Sequence, residues 1–341
     1  MKPLKYLFIS SMLFVVSSCG NDWLDLDPST SIDTETSIKI LSDVEFTLNG
    51  IYSTMQSSDA YSGRLVYYGD VTGDDMQAVS STKRVANYYR FNFTKDDNPS
   101  SHWSYLYSII QNCNLILMNI DKLVIDEDDK AYRDDLKGEA LAIRGLALFD
   151  LTRIFGYPYL KDNGASLGVP IIEGLSTIDS KPTRNTVAQC YTKIIDDLTQ
   201  SLSLLGEKFN KGKINKWGAM VLLSRVYLYK GENANALKMA SDAIIGAEKN
   251  KYALWTNEDY PTAWGEDASA SKPGEVLFEI VNLTTDSPGK ESMGYLNSYD
   301  GYDDMCITCS FYQFLKEDPK DIRLKLLSFD KKYYAYVFKY Q

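Results

Sequence analysis

The sequence predicts a mainly α protein, built of helical hairpins that carry an irregular, loop-rich face and a few short strands. Three observations point there. Apolar residues recur at spacings of three and four in several separate stretches of the 341-residue chain, the mark of amphipathic helices. Two of these stretches, within 213–247, lie back to back across a single tight break. Between the helical stretches run long segments rich in Ser, Asp, Gly and Tyr, with no sustained period. Such segments in compact domains serve as functional surfaces or remain unstructured.

The back-to-back pair is the clearest element. Asn215 to Tyr229 is apolar on nearly every face, as expected of a helix enclosed by neighbours. Lys230-Gly231-Glu232-Asn233 interrupts it, and Gly231 suits the left-handed conformation that ends helices. Ala236, Ala240, Ala243 and Ala247 then form a stripe of small side chains, which lets a neighbouring helix backbone come close. Tyr227, Ala236 and Ala243 stand where a tetratricopeptide-type hairpin carries its large and small packing residues; an ordinary helical hairpin shows much the same pattern. Nothing here is chemically reactive, so the pair is scaffold.

Taken in order, the chain opens its folded part with a helix from about Ser37 to Met55, with Ile38, Leu41, Val44, Leu48, Ile51 and Met55 on one side. Residues 56–100 read as one long loop. Helical period returns with Trp103, Leu106, Ile110, Cys113, Leu117 and Ile120, which places Cys113 as a buried small hydrophobe. Asp126 to Asp129 lacks the glycine and ligand spacing of a calcium loop and reads as a solvated turn. A helix over about 131–154 carries Leu136, Ala140, Ile143, Ala147, Leu151 and Ile154 along one face and stops at Phe155-Gly156-Tyr157-Pro158. After an irregular excursion to about Thr183, another helix shows Val187, Tyr191, Ile194, Leu198, Leu202 and Leu205, with Thr183 or Asn185 as its cap. These two helices make a second hairpin, with Arg144 placed as Arg225 is in the first. Beyond Asn250, Val276 to Val281 is a strand by composition. Residues 285–304 form a second Gly-, Ser-, Asp- and Tyr-rich loop. Tyr334, Tyr336, Phe338 and Tyr340 alternate as in a strand that is still running at Gln341, so a truncated product is expected.

Composition narrows the function. The formal charge of −10 opposes a nucleic-acid role. The single histidine, His102, excludes mechanisms that need several. Tyrosine is the outlier, 25 against 13 Phe and 5 Trp, and its apolar ring with a polar tip suits a surface that grips a hydrated ligand. Cysteines at 19, 113, 190, 306 and 309 make no disulfide framework. The pair Cys306-x-x-Cys309 cannot complete a zinc site and reads as a local disulfide or two free thiols. No metal site, cofactor site or catalytic set is legible.

The N-terminus is explicit. Lys2 and Lys5 precede an apolar run, Tyr6 to Val16, too short to span a bilayer. Val16-Ser-Ser-Cys19 matches a bacterial lipobox, so residues 1–18 read as a lipoprotein signal peptide and Cys19 as the acylated residue. Two acyl chains already hold a protein stably on a membrane.

Asn21-Asp-Trp-Leu-Asp-Leu-Asp-Pro28 after a lipobox resembles the mature start of SusD/RagB-family lipoproteins of Bacteroidetes. Trp103-Ser-Tyr-Leu-Tyr-Ser-Ile-Ile-Gln-Asn-Cys-Asn114 is similar to that family's Trp…Tyr…Ile…Asn helix. Glu139-Ala-Leu-Ala-Ile-Arg-Gly-Leu-Ala-Leu-Phe-Asp-Leu-Thr-Arg-Ile-Phe-Gly156 is similar to its most distinctive helix. Pro182-Thr-Arg-Asn-Thr186, Ile194-Ile-Asp-Asp-Leu198 and the 213–247 pair follow in the family's order. The resemblance implies one SusD-like domain over 19–341: an N-terminal part, 19–210, with its binding loop at 56–100, and at 211–341 the helical hairpin with the start of an incomplete C-terminal part. It implies four tetratricopeptide-like units, of which the closing one is expected to be missing. It also implies an outer-membrane, surface-facing lipoprotein that lies as a lid on a SusC-like TonB-dependent transporter and passes oligosaccharides down.

Sugar recognition needs aromatic faces together with carboxylate, amide or guanidinium groups. By the resemblance these come from the two loops. The first offers Asp74, Asp75, Arg84, Tyr88, Tyr89 and Asn98; the second offers Tyr295, Asn297, Tyr299, Asp300 and Tyr302. Arg84 is expected to fork onto adjacent hydroxyls and Tyr88 with Tyr89 to form a platform, while Trp255 and Trp264 are placed near the same face. Each tyrosine has packing of its loop as the competing role. The first loop has no tryptophan, unlike the starch-binding prototype, which leaves a generic glycan site. Two rival functions stay open: a lipid-anchored glycoside hydrolase, which needs only two carboxylates at suitable separation, and a tetratricopeptide-type adaptor that binds a peptide in its helical groove.

Overall fold

The computed structural model describes residues 37–94, 100–177, 179–210, 212–264, 274–283, 285–286, 289–329 and 335–337. The signal peptide, Cys19, the acidic tether, Asn98 and Tyr334, Phe338 and Tyr340 of the last predicted strand lie outside them. The chain divides into two compact units, Met1–Lys39 and Ile40–Gln341; of the first, only 37–39 are described, and every element named here belongs to the second.

Helix α1 (Leu41–Met55) is followed by two short helices, α2 (Arg64–Val71) and α3 (Ala86–Tyr89), and then by five long ones: α4 (Ser100–Asn119), α5 (Lys130–Phe155), α6 (Val187–Leu204), α7 (Lys216–Lys230) and α8 (Asn233–Lys249). From α4 onward each long helix packs on the next, and α1 lies against α4 and α5. This is the stacked-hairpin arrangement of tetratricopeptide-like arrays. The short α9 (Tyr260–Ala263), α10 (Met293–Leu296) and α11 (Cys309–Lys316) belong to the C-terminal region.

Predicted and observed helices agree to within a few residues, because each is specified by its own periodicity. Their burial does not follow as simply. The sequence gives α5 one apolar stripe, yet every residue from Gly138 to Thr152 is buried, since α1, α4 and α6 enclose it. Small residues make that possible: Leu198 Cγ of α6 lies only 3.1 Å from where a Cβ on Gly145 would sit. Helix α7 differs in the other direction. Expected to be enclosed, it buries Trp217, Gly218, Ala219, Leu223 and Val226 but leaves Leu228 and Tyr229 exposed, because α6 and α8, with a slight contact from α5, cover only part of its circumference.

Caps fix the ends. The cap of α6 is neither Thr183 nor Asn185 but Thr186, whose hydroxyl accepts from Gln189 N while the Gln189 side chain accepts from Thr186 N. Asn215 Oδ1 accepts from Trp217 N and Gly218 N at the start of α7, and Gly231 closes that helix at φ +84°. In the α7/α8 hairpin Ala236, Ala243 and Ala247 are buried as expected. The tightest contact is one the alanine stripe did not show: a Cβ on Gly246 would lie 2.0 Å from Trp217 Cζ3. Gly246→Ala is therefore expected to destabilise the protein by about 1–3 kcal/mol through overpacking, despite alanine's better helix propensity. A denaturation midpoint equal to or above wild type would refute this.

The predicted loop at 56–100 contains α2, α3 and strand β1 (Met76–Ala78). Its short elements escape periodicity because each is under three turns long. Strand β1 pairs antiparallel with β2 (Met305–Ile307), Met76 opposite Ile307. A second ribbon joins β3 (Leu327–Phe329) to β4 (Ala335–Val337), so only the middle of the last predicted strand is described. Val276–Val281 is not a strand. Side chains hold it instead: Asn215 Nδ2 donates to Leu277 O at 2.7 Å, Gln56 Nε2 donates to Val281 O at 2.5 Å, and Phe278 lies against Tyr52. Cys306 is buried and Cys309 exposed, with no disulfide between them; Cys113 is buried.

Candidate functional site

The two loops meet. Tyr67 and Val71 of α2, Met76 of β1 and Val85 share one apolar cluster with Met293 and Leu296 of α10, Met305 and Ile307 of β2, and Ala335 of β4. Backbone bonds extend the β1–β2 ladder at both ends, Val79 N to Asp304 O at 3.2 Å and Thr308 N to Asp75 O at 2.9 Å. The Thr308 hydroxyl donates to Asp74 O at 2.7 Å, and Lys83 Nζ donates to Tyr302 O at 2.7 Å. The polar face above this core is thus carried on a fixed base.

Arg84 sits at its centre. Its Nε donates to Asp304 Oδ2 at 3.0 Å and its terminal nitrogens reach Asp304 and Glu291 at 2.9 Å each. The guanidinium lies 4.2 Å above the Tyr302 ring, a cation–π contact. Tyr302 meets Tyr295 edge-on at 5.1 Å, while Tyr299 leans on Tyr336, whose hydroxyl donates to Asp303. Lys83 Nζ stands 3.5 Å from the other Asp303 oxygen. Asp304 is 4% exposed; burial pushes its carboxyl above the usual range, with Arg84 and Lys83 pulling it back. Tyr299 and Tyr302 remain 44% and 39% exposed, so two rings face solvent beside a set of fixed charges.

The structure gathers Arg84, Tyr295, Tyr299 and Tyr302 from the expected residues. Arg84, however, is engaged by two carboxylates and is not an open fork for hydroxyls. Asn297 is 2% exposed, enclosed where α10 ends, and is not placed to touch a ligand. Tyr88 is half-buried, edge-on to Tyr68 at 5.4 Å and against Phe93, which makes it part of the loop's packing; Tyr89 is exposed, so the pair does not form one platform. Asp74, Asp75 and Asp300 have exposed side chains. Trp255 and Trp264 have each other and Tyr260 as ring partners, not the loop tyrosines. Lys83, Glu291, Asp303, Asp304 and Tyr336 were missed, and the only signal available was the acidic pair directly after Tyr302.

A cleft of about 810 Å³ opens on the other side of α2, where Tyr68 and Thr72 join Tyr61, Asp150, Arg153, Arg225 and Phe278. Tyr61 donates to Asp150 at 2.7 Å and Arg153 bonds the same carboxylate. Among the described residues no group of His, Cys, Asp and Glu could hold a metal ion. His102 is buried, which lowers its pKa, with Nδ1 3.2 Å from Asp59 O.

The model of a SusD-like family described as "Starch-binding associating with outer membrane" matches residues 22–228. The chain belongs to the SusD-like family. It is 27% identical over 313 residues to a SusD-like protein, P2, of Formosa agariphila, covering 88% of this chain and 57% of that one. A Bacteroides vulgatus crystal structure named as sugar binding is 83% identical, with a TM-score of 0.88 over 90% of this chain and 68% of that one. A SusD superfamily protein of the same species is 37% identical, with a TM-score of 0.83 over 89% of this chain and 69% of its own. The chain thus spans little more than half the length of the Formosa relative. The mainly α fold with few short strands is that of the SusD superfamily.

Proposed function

We propose that this chain is a non-catalytic, surface-exposed glycan-binding lipoprotein, anchored in the outer membrane through Cys19, that delivers oligo- or polysaccharide to a SusC-like TonB-dependent transporter. One observation carries the binding reading: Tyr299 and Tyr302 present exposed rings next to Arg84 and its carboxylates, on a face built from loops over 200 residues apart in sequence. Aromatic faces cover sugar C–H surfaces and fixed carboxylates accept from hydroxyls. The glycosidase reading fits less well, because Asp303, Asp304 and Glu291 are each already paired with Lys83 or Arg84, whereas that reaction needs two carboxyl groups set across the scissile bond in separate roles. An adaptor would use the helical groove and leave the tyrosines idle.

The test is retardation in native gels cast with a panel of polysaccharides. Tyr299→Ala with Tyr302→Ala is expected to weaken retention on the order of tenfold while circular dichroism stays helical. Undiminished retention would remove these loops from the site, and steady product release would make the protein an enzyme. Labelled palmitate absent from the membrane-bound protein would remove the anchor.

A further inference from the structure

Building on the glycan-capture reading, we infer that this site is specific for uncharged glycans and rejects uronate- or sulfate-bearing ones. The charge arrangement assigns this. Anionic sugars are held by cations with open hydrogen-bond donors, above all by arginine forks. At this site the central cations are already engaged. Arg84 spans Asp304 and Glu291 at 2.9 Å each. Lys83 is held by the Tyr302 carbonyl and Asp303. Arg64, on the adjoining helix α2, is bound to Asp59 at 2.6 Å.

What the face offers a ligand is therefore acceptor oxygen and aromatic surface. The carboxylates of Glu291 and Asp303 stay 36% and 31% exposed, open to accept from hydroxyls, and the Tyr299 and Tyr302 rings lie beside them. Asp74, Asp75 and Asp300 add exposed negative charge to the same two loops. Among the described residues of these loops, Arg90 and Lys290 are the remaining exposed cations; Lys290 lies 5.9 Å from the Tyr295 ring centre, and single exposed charges of this kind contribute little. The chain as a whole carries −10, so its long-range field also opposes the approach of a polyanion.

The experiment uses the full chain in native gels containing laminarin, dextran, galactan or galactomannan on one side, and polygalacturonate, chondroitin sulfate or carrageenan on the other, each at low and high salt. Retention by an uncharged polymer, unchanged by salt, is expected, with none by the anionic set. Glu291→Gln keeps shape but releases one arm of Arg84, and it is expected to gain salt-sensitive retention by an anionic polymer, on the order of tenfold for one charge-assisted bond. Salt-sensitive wild-type retention by anionic polymers alone would overturn the inference and leave glycan capture standing. Retention by neither set, with normal helical circular dichroism, would overturn both. A folded Glu291→Gln protein that gains nothing would overturn the role of the engaged Arg84.

Discussion

Arg144→Met is expected to destabilise the fold by about 3–5 kcal/mol, the usual result of leaving a buried charge without its partner. Arg144 on α5 donates to both Asp197 oxygens of α6 at 2.8 and 2.6 Å, and to Asn114 Oδ1 of α4 at 2.8 Å. Asn114 Nδ2 in turn donates to the carbonyls of Ile172 and Gly174 at 2.8 and 3.0 Å. Asp197 and Asn114 are fully buried. Three helices and the segment following Pro170 are therefore joined at one guanidinium. Methionine fills similar volume but donates nothing, so Asp197 would keep only Lys193, 3.3 Å away. Denaturant titration followed by circular dichroism measures the loss, and a change below about 1 kcal/mol would refute the assignment. Arg144→Met with Asp197→Leu separates two causes, since an apolar pair of similar volume often recovers what the broken ion pair lost.

The second large effect depends on pH. Glu139 on α5 is 3% exposed. The Tyr52 hydroxyl donates to its Oε2 at 2.7 Å and itself accepts from Ile214 N at 3.0 Å. Burial pushes the carboxyl from 4.5 up to about 7, against the Tyr52 bond and the more distant charge of Lys213, with Asp135 and Glu45 adding to the rise. Folded protein thus holds a proton that the unfolded chain has already released. The stabilisation this gives is complete below about pH 4.5 and is lost as pH climbs through about 7. At about 1.4 kcal/mol per pH unit the swing is on the order of 3 kcal/mol. Glu139→Gln keeps an acceptor for Tyr52 and removes the titration, so its stability relative to wild type is expected to rise between about pH 5 and about pH 8. Parallel stability curves for the two proteins across that range would show that Glu139 does not titrate there.

How far the sequence reached is visible at particular residues. Cys113 and Leu106 were placed inside α4 because period reports the buried side of a helix directly. Arg144 was noticed as the equivalent of Arg225, but period said nothing of their different ends. Arg144 is enclosed between three helices, while Arg225 lines the open cleft. At the candidate site, a loop rich in tyrosine suggested Tyr299 and Tyr302, which stand exposed, and the same reasoning suggested Asn297, which is buried. Loop side chains have no period, so their direction is unreadable until the base beneath them is formed.

The sequence by itself determined the long helices and their order, the tight break at Gly231, the motif at Cys19 and the family, because each rests on neighbours within a few residues or on motifs in series. Only the tertiary structure decided which charges Arg84 meets. Its partners Glu291 and Asp304 lie 207 and 220 positions further along the chain, brought to it by the pairing of β1 with β2 over a shared apolar cluster. Local pattern sets which segments are helical; the packing of distant segments sets which side chains face each other, and the chemistry of this surface depends on the latter.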